Sequence, residues 1–220
     1  TAGVHRATPV DAPPAELTRA ALLAACEGSE SPADVVQLFF RHKRLQSLQT
    51  PAAVDFSEFV SLRVLSLSHN FLTSIEPVAE LPCLVELNVN HNRITDISPV
   101  FQCEALEVLL AANNCVASIA GIELRMLRRL SLFSNELDDV DSFLAALTAL
   151  PELRSLDVAG NPCLADAAQR YDLVRAVPKL EELDGEGVCV VDRQLADEFF
   201  ACARELGLQE RPRTAPPRPG

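Results

Sequence analysis

Between residues 35 and 161 one phrase of apolar and polar positions keeps returning. It reads LRVLSLSHNFLTSI from Leu62, LVELNVNHNRITDI from Leu84 and LEVLLAANNCVASI from Leu106, which reduces to L-x-x-L-x-L-x-x-N-x-L-x-x-L. The same register fits from Val35 (Leu38, Phe40, Lys43, Leu45, Leu48), from Leu127 (Leu130, Leu132, Asn135, Leu137, Val140) and from Leu153 (Leu156, Val158, Asn161). Successive starts are 27, 22, 22, 21 and 26 residues apart, room for one short strand and a return segment per unit. The L-x-L core predicts a strand, because alternate strand residues face opposite sides: the leucines go inward and the residues between them go outward.

A phrase of this form and period is the signature of a leucine-rich repeat. The predicted fold class is α/β: a right-handed, curved leucine-rich repeat solenoid with a parallel sheet on its concave face and helical caps at both ends. Repeats are assigned to residues 35–184, about six coils plus a cap strand. An N-terminal helical cap is placed at 15–34, where AELTRAALLAAC is rich in helix formers and Ser31-Pro32-Ala33-Asp34 reads as a second start with proline at the first helical position. A C-terminal capping helix is placed at 185–207, with Leu195, Phe199, Cys202 and Leu206 at helical spacing toward the core and Gly207 as its stop. Residues 1–14 and 208–220 are proline-rich and expected to be disordered.

Three further local features follow from the pattern. Asn70, Asn92, Asn114, Asn135 and Asn161 sit where the chain leaves each strand, so their amides can satisfy backbone groups that the turn strands; Lys43 replaces asparagine in the first coil. The long fifth coil carries Asp141-Ser142 before FLAALTALP, an N-capped helix ended before Pro151. Tyr171, Val174 and Val177 share one face of another helix, stopped by Pro178.

Charge narrows the functional classes. The 220 residues carry 19 Lys+Arg against 31 Asp+Glu, a net −12, the wrong sign for direct nucleic-acid binding. The seven cysteines form no C-x-x-C pair and no even set, and read as reduced thiols of an intracellular, cytoplasmic protein. No secretory signal or membrane span is visible. No phosphate loop, H-E-x-x-H or nucleophile elbow is present, so neither an enzyme nor a cofactor is expected, and the isolated domain is taken as monomeric.

The candidate site is the variable set between the leucines. The columns on the concave side run Gln37, Val64, Glu86, Val108, Arg129, Ser155; Phe39, Ser66, Asn88, Leu110, Ser131, Asp157; and Arg41, Ser68, Asn90, Ala112, Phe133, Ala159. From these, Phe39, Arg41, Val64, Glu86, Asn88, Asn90, Val108, Leu110, Arg129, Phe133 and Asp157 are assigned to binding a protein partner. Phe39, Leu110 and Phe133 serve as apolar anchors, because large apolar groups on a solvated face dominate binding energy. His42, His69 and His91 occupy one template position in consecutive coils, on rungs about 4.8 Å apart, close enough to titrate together. A straight column does not supply the tetrahedral donors that zinc prefers, so no metal is assigned. Basic clusters at Arg41-His42-Lys43-Arg44 and Arg125–Arg129 are suited to steering an acidic partner, while the acidic stretches at 136–141 and 181–186 read as a solvated rim.

The coils, together with the ending Gly160-Asn161-Pro162, Tyr171 and Pro178-Lys179-Leu180-Glu181-Glu182-Leu183-Asp184-Gly185, resemble the leucine-rich repeat subfamily of the protein phosphatase-1 regulatory subunit and its C-terminal cap motif. That subfamily includes repeat proteins of cilia, flagella and axonemal dynein and a spliceosomal protein. The resemblance implies a non-catalytic adaptor in a cytoskeletal, ciliary or flagellar assembly. Its alternatives are a phosphatase regulator and a nuclear ribonucleoprotein scaffold acting through a protein partner.

Overall fold

Three-residue strands centre on the first leucine of each L-x-L segment, and the recurring phrase brings them into register although the coils differ in length. The computed structural model describes residues 31–49, 55–164 and 168–205. The expected disordered ends at 1–14 and 208–220, and the expected helical cap up to residue 30, lie outside that range. Strands β1 (Gln37–Phe39), β2 (Val64–Ser66), β3 (Glu86–Asn88), β4 (Val108–Leu110), β5 (Arg129–Ser131), β6 (Ser155–Asp157), β7 (Glu182–Leu183) and β8 (Glu186–Gly187) make one sheet in chain order. Pairing is parallel from β1 to β7 and antiparallel between β7 and β8. The fold is a leucine-rich repeat solenoid. Leu38, Leu65, Leu87, Leu109, Leu130 and Leu156 align at the centre of successive rungs and are buried in one continuous core. Each such leucine contributes roughly 1.5–3 kcal/mol by leaving water.

The return segments are tight because the coils are short. Single 3₁₀ turns at Glu76–Glu80 and Ser98–Gln102 carry proline as their second residue, where its fixed φ suits the first turn and its missing N–H is not needed. Ser31 likewise caps a 3₁₀ turn at Pro32–Asp34 rather than a longer helix, its hydroxyl accepting from the Ala33 N–H. The longer fifth coil holds helix α1 (Val140–Leu147). Its N-cap is Asp139 rather than the expected Asp141-Ser142: the Asp139 carboxylate accepts the N–H groups of both those residues, which already lie in the first turn.

The five asparagines tie the coils together. In each, Oδ1 accepts a buried N–H of the preceding coil: Leu45 for Asn70, Leu72 for Asn92, Ile94 for Asn114, Val116 for Asn135 and Leu137 for Asn161. Each Nδ2 donates backwards as well as within its own coil. The carbonyl of Leu67 therefore receives both Asn70 and Asn92, that of Val89 both Asn92 and Asn114, that of Ala111 both Asn114 and Asn135, and that of Leu132 both Asn135 and Asn161. Lys43, at the asparagine position of the first coil, instead donates its backbone N–H to Asn70 Oδ1 at 2.9 Å.

The C-terminal end departs from the repeat. Asp184 and Gly185, with φ of 52° and 80°, form the left-handed two-residue turn that reverses β7 into β8. Rung after rung, the residue following the strand donates its N–H to the next strand's carbonyl, as Leu132 does to Asp157. At the last rung Val158 donates to the Asp184 carboxylate instead, at 2.6 Å, so a side chain stands in for the carbonyl that the turn removes. Helix α2 (Gln169–Ala176) buries Leu173 and Val174 and ends at Val177 before Pro178.

Helix α3 spans Val190–Glu205, so the segment expected to be helical from 185 opens with the hairpin instead. Asp192 starts the helix by accepting the Cys189 N–H, and that bond holds its carboxyl below the usual range. The expected core face is corrected. Leu195 and Phe199 are 45% and 42% exposed and Cys202 is exposed, whereas Ala196 is 2% exposed. Arg193 also faces inward, its guanidinium donating to the carbonyls of Val174 and Leu180 at the end of α2 and in the following turn. Of the expected stripe, Phe199 still packs on α2, its ring 5.1 Å from that of Tyr171.

Leu67→Ala and Leu87→Ala are expected to destabilise the protein by about 2–5 kcal/mol in denaturant unfolding. Asn92→Ala should cost about 3 kcal/mol, mainly by orphaning the Leu72 N–H, since the carbonyls Asn92 serves each keep a second amide.

Candidate partner-binding face

The strand registers set the outward columns in place. Gln37, Val64, Glu86, Val108, Arg129 and Ser155 pair in sequence, as do Phe39, Ser66, Asn88, Leu110, Ser131 and Asp157. Phe39 and Phe133 are 48% and 43% exposed, Arg41 and Arg129 are exposed, and Val64, Glu86, Asn88, Asn90, Val108, Leu110 and Asp157 are half-buried. The small residues Ser66, Ser68, Ala112 and Ser131 are buried beneath their neighbours.

The structure splits the three apolar anchors into two groups. Leu110 pairs with Ser131, two residues before Phe133, and the same Ser131 pairs with Asp157. Phe133 stands among Ala112, Ser131 and Ala159, and this step from large to small leaves an open hollow of about 350 Å³, bordered by Asp157, Asp184 and Gly185. Phe39 lies three rungs from Leu110, about 14 Å at the usual strand spacing. There its ring carries the Arg41 guanidinium at 5.0 Å, and Arg41 Nε donates to Ser66 Oγ at 2.7 Å. Two polar members of the face are engaged in the sheet: Asn88 Oδ1 accepts the Asn90 N–H, and Asn90 Oδ1 accepts the Ala112 N–H at 2.7 Å. Asp184 and Gly185 belong to the hollow although the column reading omitted them, because their place depends on the terminal hairpin rather than on the repeat. A large residue beside small ones in neighbouring columns was the available signal for the hollow itself.

Charge runs along the coils. Arg41, Lys43 and Arg44 lie on the first, while Asp157, Glu181, Glu182 and Asp184 gather at the last. Between them, opposite charges on adjacent rungs pair, Arg128 with Glu107 at 3.7 Å and Arg154 with Glu181 at 2.7 Å.

His42, His69 and His91 form a stack at the edge of this face. All three backbones are left-handed, with φ of 54°, 57° and 56°, and the column continues through Asn113, Ser134 and Gly160 in the same region. Histidine and asparagine tolerate that conformation better than most residues. Each backbone N–H donates to the next coil's carbonyl, His42 to Ser68, His69 to Asn90 and His91 to Ala112, which holds the column straight. Gly160, with φ of 78°, suits its rung, where a Cβ would come within a tight 3.3 Å of Ser134 Cα. The imidazoles lie face to face, with centroids 4.3 and 4.2 Å apart and planes 13° and 14° from parallel. In-plane nitrogen lone pairs of parallel rings do not converge on one ion. Among the described residues no group of three or more His, Cys, Asp or Glu is placed to hold a metal. The His69 pKa is lowered from 6.5 by desolvation first, then by His91, His42 and Arg41.

Comparison with known proteins agrees with the repeat. The family description "Leucine Rich repeats (2 copies)" matches residues 60–102 and 84–124. Dynein axonemal assembly factor 11 of Trypanosoma brucei brucei is 32% identical over 133 residues, covering 48% of this chain and 35% of that protein. An uncharacterised protein of Caenorhabditis elegans is 36% identical over 95 residues, covering 42% of this chain and 20% of its own length. The chain thus spans about a third or less of these curated relatives. An internalin of Listeria monocytogenes superposes with a TM-score of 0.56 at 25% identity, over 69% of this chain and 41% of that one. Among the described residues no helix is long and apolar enough to cross a membrane.

The stack has a consequence for stability. Folding favours the neutral His69 ring, so this contribution is complete above the ordinary value of 6.5 and is lost as pH falls through the lower folded-state value. Melting temperature should therefore fall between about pH 7.5 and about pH 5.5, and His69→Asn should flatten part of that fall. An identical pH profile for the variant would exclude the stack as its source.

Proposed function

We propose that this solenoid is a non-catalytic adaptor that holds a segment of a partner protein across its concave sheet face. The observation that carries the proposal is the conjunction of Leu110, exposed Phe133 and the adjoining hollow with Asp157 and Asp184 at its rim. An exposed ring over a pocket is the arrangement that dominates binding energy at protein interfaces, and the flanking carboxylates suit a segment with an apolar residue next to Arg or Lys. Arg41 stacked on Phe39 offers a second, oppositely charged contact at the other end, so the face has a preferred direction for an extended segment.

The setting we propose is a cytoplasmic assembly of the cytoskeleton, cilium or flagellum. Similarity to a dynein axonemal assembly factor over 133 residues supports it. The test is localisation of a tagged copy followed by mass spectrometry of what co-purifies. Axonemal or dynein-assembly components would support the setting, and recovery of the phosphatase-1 catalytic subunit or of splicing factors would replace it.

Phe133→Asp and Leu110→Asp should each weaken capture of the purified partner by at least about tenfold in a titration, with circular dichroism unchanged. Full binding by both variants would exclude the sheet-face site.

A further inference from the structure

The edge formed by the turns of the first three coils concentrates positive charge on a chain whose net charge is −12. Arg41, His42 and Lys43 are exposed there in succession, and His69, His91 and Arg93 continue the edge on the next two rungs. Side-chain positions are held on both sides of the stack. Arg41 is fixed by Phe39 and Ser66, and Arg93 lies 5.0 Å over the Phe71 ring. The stacked imidazoles present their edges to solvent at a repeat of about 4.2 Å, close to the spacing of successive rungs.

We propose that this edge is a second docking surface, for a carboxylate-rich segment of a partner protein, and that it grips that segment more tightly as the pH falls. Arg41 also belongs to the sheet-face site, but this reading rests on the turn edge, on the histidine column with Lys43 and Arg93, none of which that site uses. Its chemistry follows from the geometry. Three parallel imidazoles repel one another when protonated, and the charged groups acting on His69 are His91, His42 and Arg41, all of one sign. Lys43 and Arg44 flank the column on the first coil, and the next member beyond His91 is the neutral Asn113. Carboxylates laid along the edge relieve that repulsion, so binding draws protons onto the rings. By linkage, uptake of about one proton raises affinity roughly tenfold per pH unit through the titration. A protein segment is favoured over nucleic acid because the patch spans only three rungs of a chain with a net charge of −12, too little to offset repulsion of a long polyanion.

The experiment uses the full chain and a fluorescent ten-residue polyaspartate peptide, followed by anisotropy at constant low ionic strength at about pH 8 and about pH 6. The wild type should bind at both values and roughly ten- to a hundredfold more tightly at the lower one, with proton uptake seen by calorimetry in buffers of different ionisation enthalpy. His42→Asn/His69→Asn/His91→Asn, which places at each position the residue the column itself uses at Asn113, should keep the weaker binding and lose the pH-dependent gain. Lys43→Gln, which leaves the stack intact, should weaken binding at both pH values. No peptide binding by the wild type, an equal pH gain in the triple variant, or equal affinity for a single-stranded oligonucleotide of the same charge would each overturn the proposal.

Discussion

A continuous relay of asparagine amides and shared carbonyls carries the solenoid from coil to coil. It begins at the Phe40 carbonyl, passes through Asn70, Asn92, Asn114, Asn135 and Asn161, and ends at the carbonyl of Val158. Strand pairing alone fixes only three residues per rung, leaving the turn that follows with buried, unpaired backbone. An amide has a donor and an acceptor on one planar group, so a single side chain can serve the preceding coil and its own at once. The leucines supply the driving force for stacking; the relay determines at what register and with what turn the stacking occurs. Among the described residues no buried side-chain nitrogen or oxygen is left without a partner.

Once the relay and the leucines are committed, the remaining positions are free to vary without disturbing the frame. This is why chemically different groups line up in rows: Phe39 with Ser66 and Asn88, or His42 with His69, His91 and Asn113. The frame converts spacing along the chain into adjacency at the rung distance. Imidazoles separated by 27 and 22 residues in the sequence therefore touch face to face. The same mechanism sorts charge, with basic groups on the first coil and carboxylates at the last.

Most of the frame was legible in the chain because repetition supplies its own alignment. The columns derived from the leucine spacing are the columns that the strand pairs form, and the asparagines bond where the turn required. The readings that failed lie where repetition stops. At α1, the cap was expected at Asp141-Ser142, whereas the helix starts at Val140 and Asp139 caps it. At α3, the stripe of Leu195, Phe199 and Cys202 suggested an inward face, but Ala196 and Arg193 face inward and the stripe is largely exposed. The hollow beside Phe133 was half legible: the large ring and its small neighbours are in the columns, while Asp184 and Gly185 arrive through a hairpin that has no counterpart upstream.

That hairpin does more than line the hollow. A stack of parallel strands has an open edge at each end, and an open edge is a template on which another strand can polymerise. By folding β8 back antiparallel, and by filling the hydrogen bond of Val158 with a carboxylate rather than a backbone carbonyl, the chain ends its sheet in a two-residue strand of alien direction. A further coil of the same kind has no parallel partner to continue from. A strand that pairs with β8 meets only two residues, running against the direction of the coils before them, so the last turn shortens the template that this end of the sheet offers.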